Sequence, residues 1–419
     1  MNLHISHLIP KVLVNRIFAR LYLAQSISLL GDSLTWVALA LTSYEISPKN
    51  SGAILSTVLT IRVVAFILFA PIAGTFADRF NRKQILYISH FSRMILVGSL
   101  PFAHSEWHIF FVVFLLNMFN AFFTPAYRAV IPVVTTKKDY RQAVGLSAAT
   151  YQILGILGPG IAGFFALWFG PRDIFFIDAI SFIAAALLIL SVPSRALYQN
   201  NSYDSSTIHH PHQTTNPWQD VFKGMKLLFS KKAINYAIFI EFISAVAGSQ
   251  ILVNSIGLIK NTMQLKDDSY GLIMGVFAAG AAIAALISGV IDKSKTRKYS
   301  LLLGGLLISI AVIPANYADF TLLLPLWLIA GLGQSLANIP SETLIGELIP
   351  SGDQGKVYGA HYAISHLWWA IGYPIAGYLG SKHSDYNFLL AGITALILTI
   401  SGSLLFYKKQ TTKRPISHH

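Results

Sequence analysis

Gly74-Thr75-Phe76-Ala77-Asp78-Arg79-Phe80-Asn81-Arg82-Lys83 sets a glycine, an acid–base dipeptide and a basic pair between two apolar runs. Its echo comes 215 residues later, where Gly289-Val290-Ile291-Asp292-Lys293 leads to Arg297-Lys298. The same spacing joins Pro125 to Pro340 and Pro159 to Pro374. Glycine and proline interrupt helices, so a shared set of interruptions predicts two halves built to one plan. In a hydrophobic chain such a repeat points to a transport architecture, with a site between halves that rock against each other.

Working outward from the loop, the chain is 54% hydrophobic and only 12% charged, with a mean hydropathy of +0.57. A soluble domain carries about 25% charged residues. Apolar stretches long enough to span a bilayer as helices fall near 17–44, 51–76, 85–103, 107–131, 142–169 and 173–193. A second set falls near 233–259, 270–291, 299–316, 320–346, 356–381 and 386–407. The expectation is an all-α membrane protein of twelve transmembrane helices. Residues 1–193 form one six-helix half, 194–231 a cytoplasmic linker, and 232–419 the second half and tail. A β-barrel would instead show alternating strands of about ten residues.

The net charge of +13 follows membrane topology, not a nucleic-acid surface. Five cations, Lys49, Arg172, Lys260, Lys266 and Lys382, fall in the odd-numbered loops, and Arg62 and Arg93 fall deep within spans. The others lie at the N-terminus, in the even-numbered loops, at the inner ends of spans and in the tail. That bias places both termini in the cytoplasm of a multi-pass protein. No cysteine is present, so disulfides and thiolate chemistry are excluded. No cleavable leader is read before the first span. The linker carries His209-His210-Pro211-His212, too closely spaced for a defined metal site, and a helix from Trp218 to Phe229 that suits a bilayer surface. No metal or cofactor is expected. His104-Ser105-Glu106-Trp107-His108 lacks the His-Glu-x-x-His order of a zinc protease, and no phosphate-cradling loop occurs. Neither zinc-protease catalysis nor ATP hydrolysis by that route is indicated.

The loop at Gly74, Asp78, Arg79, Arg82 and Lys83 resembles the signature loop of the major facilitator superfamily, in which Gly-x-x-x-Asp-Arg precedes a basic pair. Asp78 can then accept hydrogen bonds from a helix N-terminus or pair with Arg, latching the inward side shut. Arg128 joins this latch, with Glu342 and Glu347 as acidic partners. Ala121-Phe122-Phe123-Thr124-Pro125-Ala126 with Ile131-Pro132, and Asn338-Ile339-Pro340 with Gly355-Lys356-Val357, resemble the macrolide-efflux and enterobactin-exporter branch. Gly158, Pro159 and Gly163 lie in a stretch similar to the superfamily's antiporter motif, with Ala162 in place of one glycine. The resemblance covers nearly the whole chain. It implies the major facilitator fold and transport.

Ionisable residues inside spans are costly and hence functional candidates. Asp32 in the first span and Arg62 in the second fall at one depth on adjacent antiparallel helices, so they are expected to pair. A carboxyl beside an Arg can exchange a proton as its surroundings change. Glu241, in the seventh span, is the second proton or cation candidate; its near repeat-equivalent is Gln25. Arg93 is read as snorkelling. Gln25, Trp36, Asn117, Asn120, Gln250, Asn254, Gln334, Asn338 and Tyr362 are the candidate cavity lining, with Trp368 and Trp369 as further stacking surface.

Together these features predict a monomeric alternating-access exporter in a bacterial inner membrane. It would exchange protons for a drug-like or macrolide-like small molecule. Four alternatives stay open: a siderophore exporter, a lysophospholipid flippase, an uptake carrier, and a non-transporting receptor or scaffold.

Overall fold

The computed structural model describes residues 11–197, 217–291 and 297–411, and they are helical almost throughout. The helices are α1 (Arg16–Ile46), α2 (Ser51–Arg79), α3 (Arg82–Ser99), α4 (Glu106–Val134), α5 (Lys137–Trp168) and α6 (Pro171–Leu190). A single turn, α7 (Ser194–Leu197), and the short α8 (Pro217–Leu228) come next. They are followed by α9 (Lys232–Gly257), α10 (Asp267–Ile291), α11 (Arg297–Val312), α12 (Phe320–Leu348), α13 (Ser351–Lys382) and α14 (Asn387–Thr411). Among the described residues, ten helices are long and apolar enough to cross a bilayer. They include neither α5 nor α13, each of 32 residues. The His209–His212 cluster lies outside the described residues.

Polar side chains mark where helices begin. Asn81 accepts from the Gln84 amide at 3.2 Å and starts α3 within the loop that opened the sequence reading. Thr136 caps α5 and Asp319 caps α12 in the same way, each taking up an amide that the helix cannot satisfy itself. Prolines sit inside α4 (Pro125, Pro132), α12 (Pro325, Pro340) and α13 (Pro374) without ending them. At its far end α9 passes into a π turn over Leu258–Thr262.

The chain divides into two compact units, one of Met1–Ile46 with Ile61–His209, the other of Ser47–Thr60 with His210–His419. In the first, Phe18 and Leu21 of α1, Leu86 of α3, Phe123 and Tyr127 of α4 and Ile189 of α6 form one apolar core. In the second, Trp327 of α12 is fully buried against Phe388 of α14, and its indole donates to the Ser255 hydroxyl at 3.2 Å. The first turns of α2 belong to this unit: Gly52 abuts Asn254 of α9, and Ser56 abuts Gly377 of α13. The short α8 packs onto the start of α13, where Gly224 lies against the Lys356 backbone and Lys223 pairs with Asp353 at 2.7 Å. The linker helix expected at the bilayer surface is therefore docked on protein, with Phe222 and Phe229 left exposed.

Close helix approach in the second unit depends on glycine. A methyl group on Gly331 of α12 would overlap the Phe277 carbonyl of α10, and one on Gly280 would overlap that of Leu328. Because the neighbour is backbone, Gly331→Ala should destabilise by about 1–3 kcal/mol, as overpacking does. Gly145 of α5 has nothing within 4 Å of such a methyl, so Gly145→Ala should be neutral or stabilising. Thermal unfolding of the two variants in detergent checks the contrast.

Candidate functional site

Each unit buries its own polar cluster. In the first unit, Arg93 of α3 is 3% exposed and donates from one guanidinium nitrogen to both carboxylate oxygens of Asp32 on α1, at 2.5 and 2.6 Å. The Asp32 side chain is 28% exposed, so the pair is open on its carboxylate side and closed around Arg93. The Phe182 ring of α6 lies 4.2 Å from the guanidinium carbon, a cation–π contact that offsets part of the lost hydration.

Asp178, one turn before Phe182, is fully buried. It accepts from Thr35 of α1 at 2.5 Å and from Ser181 of α6 at 2.9 Å. Gly31 makes this approach possible, since a methyl there would overlap the Asp178 carboxyl and the Ser181 hydroxyl. His90, one turn before Arg93, is fully buried between Phe123 and Phe182, with ring centroids at 4.7 and 5.8 Å. Its ring nitrogens have no hydrogen-bond partner among the described residues. Gly158 of α5 abuts Ser33, bringing α5 against the same part of α1.

In the second unit, Glu241 of α9 is buried, with His361 Nε2 of α13 at 2.9 and 3.0 Å from its oxygens and the Ser365 hydroxyl donating at 3.0 Å. Further along the same helix pair, Asn254 donates to Gln250 at 2.7 Å and to the Ala376 carbonyl at 2.9 Å. Gln334 and the Trp369 ring converge on Gly248, and Trp369 lies tilted against Tyr373 at 5.4 Å. The Trp368 indole meets Phe242 edge-on at 5.0 Å. The buried Gln250 amide nitrogen, Gln334 carbonyl oxygen and Trp368 indole nitrogen have no hydrogen-bond partner among the described residues. Such groups are costly unless something polar meets them.

Several expectations change. Asp32 pairs with Arg93, not Arg62. Equal depth along two helix axes does not fix which way each side chain points, and α3 presents Arg93 to α1. Arg62 instead lies over the Trp36 ring at 4.4 Å. The snorkelling reading of Arg93 is also overturned by its burial and its ion pair. Glu347 holds Arg297 in a two-pronged pair at 2.7 and 2.9 Å within the second unit. Arg128 and Arg79 are exposed. Arg82 donates to the Ala129 carbonyl at 3.1 Å and Lys83 to that of Leu190 at 3.0 Å, so both tie α3 to neighbouring helix ends. Asn117 spends its amide on the Val113 carbonyl of its own helix at 2.8 Å. Asn120 and Asn338 are half-buried, as is Gln25, whose carbonyl oxygen has no partner among the described residues. Tyr362 is exposed against the His366 ring. The side chains of Gly74, Asp78, Pro159 and Gly163 lie outside the described residues.

Asp178, His90 and His361 were missed, although each lies within a predicted span. The rule that singled out Asp32, an ionisable group where lipid is expected, applies equally to them. Removing one partner of a buried pair strands the other, at a cost of about 3–5 kcal/mol when both are fully enclosed. The partial exposure of Asp32 puts Arg93→Gln at or below the lower end of that range. Adding Asp32→Asn should recover much of the loss, because no unpaired charge remains. Folded yield and thermal stability of the single and double variants measure this coupling.

The comparisons with known proteins agree with this architecture. A family model of the Major Facilitator Superfamily matches residues 21–254 and 238–418. The chain is 26% identical over 389 residues to multidrug resistance protein 1 of Bacillus subtilis, covering 86% of this chain and 90% of that one. It is 24% identical over 180 residues to macrolide efflux protein A of Streptococcus pyogenes, covering 42% and 43%. The solved structure of the nucleoside transporter NupG aligns with a TM-score of 0.67 at 13% identity, over 95% of this chain and all of that one. At that identity the structural likeness carries the fold alone.

Proposed function

Because the chain belongs to the major facilitator superfamily, it is a multi-pass membrane transporter, and we propose that it exports a drug-like or macrolide-like molecule in exchange for protons. Multidrug and macrolide efflux proteins among the relatives support the substrate class. The basic bias of the even-numbered loops, together with relatives from Bacillus subtilis and Streptococcus pyogenes, supports a bacterial inner membrane and cytoplasmic termini. In this reading α5 and α13 complete a set of twelve spans, and a monomer works by alternating access.

The observation that carries the reading is the Asp32–Arg93 pair. It is an ion pair inside a span, with its cation buried and its carboxylate partly open. A protein that only packed against lipid would have no use for so costly a contact, which argues against a passive scaffold. Protonation of Asp32 would remove the negative charge that holds Arg93. Glu241 with His361 is the second candidate carrier. Gln250, Gln334 and Trp368 supply polar groups, beside aromatic surface, suited to an amphipathic substrate. Arg62 on Trp36 is assigned to an aromatic wall, not to proton transfer.

Vesicles with an imposed pH gradient and ethidium as probe test the coupling. Asp32→Asn should abolish gradient-driven ethidium movement while the protein remains folded. Unchanged proton-driven movement would remove Asp32 from the coupling step.

A further inference from the structure

The first unit places two carboxyl groups around a single guanidinium. Asp32 holds Arg93 from the partly open side. Asp178, fully enclosed on α6, lies within electrostatic range of both and makes no ion pair among the described residues. Its neighbours are the Thr35 and Ser181 hydroxyls. Thr35 is one turn along α1 from Asp32, and Phe182, which stacks on Arg93, is one turn along α6 from Asp178. Among the described residues, the further titratable group beside Arg93 is His90, enclosed by Phe123 and Phe182. The one guanidinium is engaged by Asp32, which leaves the enclosed Asp178 without a counter-charge, and an uncompensated charge is not tolerated in such a setting.

We propose that Asp32 and Asp178 share one proton and one guanidinium, with Arg93 pairing to whichever carboxylate is ionised. With Arg93 on Asp32, as in the structure, this scheme puts the proton on Asp178, whose hydroxyl then donates to Thr35 or Ser181. A proton that reaches Asp32 bonds to a carboxylate oxygen and ends its attraction for Arg93. Arg93 then turns to Asp178, whose proton leaves through the Thr35 or Ser181 hydroxyl. One proton enters and one departs, so the cluster carries the same net charge before and after the exchange. Asp178 is thereby a second proton carrier, in series with Asp32. The two groups titrate as a pair and not as separate sites. This extends the proton-coupled reading above, but its central claim concerns ionisation inside one unit and can be tested without transport.

Infrared difference spectroscopy of the full chain in lipid, near neutral pH, reads the protonated carboxyl band directly. Wild type should show a buried, slowly exchanging carboxylic acid signal, and Asp178→Asn should lose it. Asp32→Asn, which mimics a neutral Asp32 and leaves Asp178 intact, should also lose it, because Arg93 then ionises Asp178. Asp32→Asn/Arg93→Gln should restore it, since no guanidinium remains to claim Asp178. If Asp178→Asn proves unstable, Ser181→Ala should shift the band by removing one hydroxyl donor. A band unaffected by Asp178→Asn or by Ser181→Ala, or one that persists at full strength in Asp32→Asn, overturns the proposal. Failure of ethidium movement in wild-type vesicles would count against proton-driven export and would leave these spectra to decide the proton-sharing claim separately.

Discussion

A guanidinium enclosed by three helices is the constraint around which the first unit is arranged. Arg93 cannot discard its charge, so α1 must supply Asp32 and α6 must supply the Phe182 face. Gly31 follows from the same requirement. Any side chain there would push α6 and its Asp178 carboxyl away from α1. The apolar core at Phe18, Phe123 and Ile189 packs the same helices together elsewhere along their length. Packing is thus the background here, and electrostatic compensation decides which helices must touch.

The fold was readable from the chain because the bilayer leaves few choices. Apolar runs of the right length, interrupted at matched places, define the helices and their two-fold plan, and Asn81 marks the turn between α2 and α3 through its cap. The site was only half readable. That Asp32 would be partnered and that Glu241 would be enclosed follows from their place in the sequence. Which partners they take does not, because α1 meets α3 and α6 through an arrangement that chain adjacency does not encode. Arg62 was the neighbour in sequence, and Arg93 is the neighbour in space. His361 lies 120 residues from Glu241, and only the packing of α13 on α9 brings them together.

The 215-residue spacing read from the sequence is not matched by a shared chemistry in the two units. Arg82 and Arg297 occupy equivalent positions, yet one meets a backbone carbonyl and the other a carboxylate. The first unit gathers its ionisable groups on α1, α3 and α6; the second pairs α9 with α13. A shared plan sets where helices run and bend. Substitution within each copy then gives the two units different responses to charge.

The docking of α8 bears on the buried pair of the second unit. With Lys223 on Asp353 and Gly224 against the Lys356 backbone, α8 is fixed to the first turns of α13. His361 stands about two turns further along that same helix. The helix that receives α8 is therefore also the one that presents the histidine to Glu241.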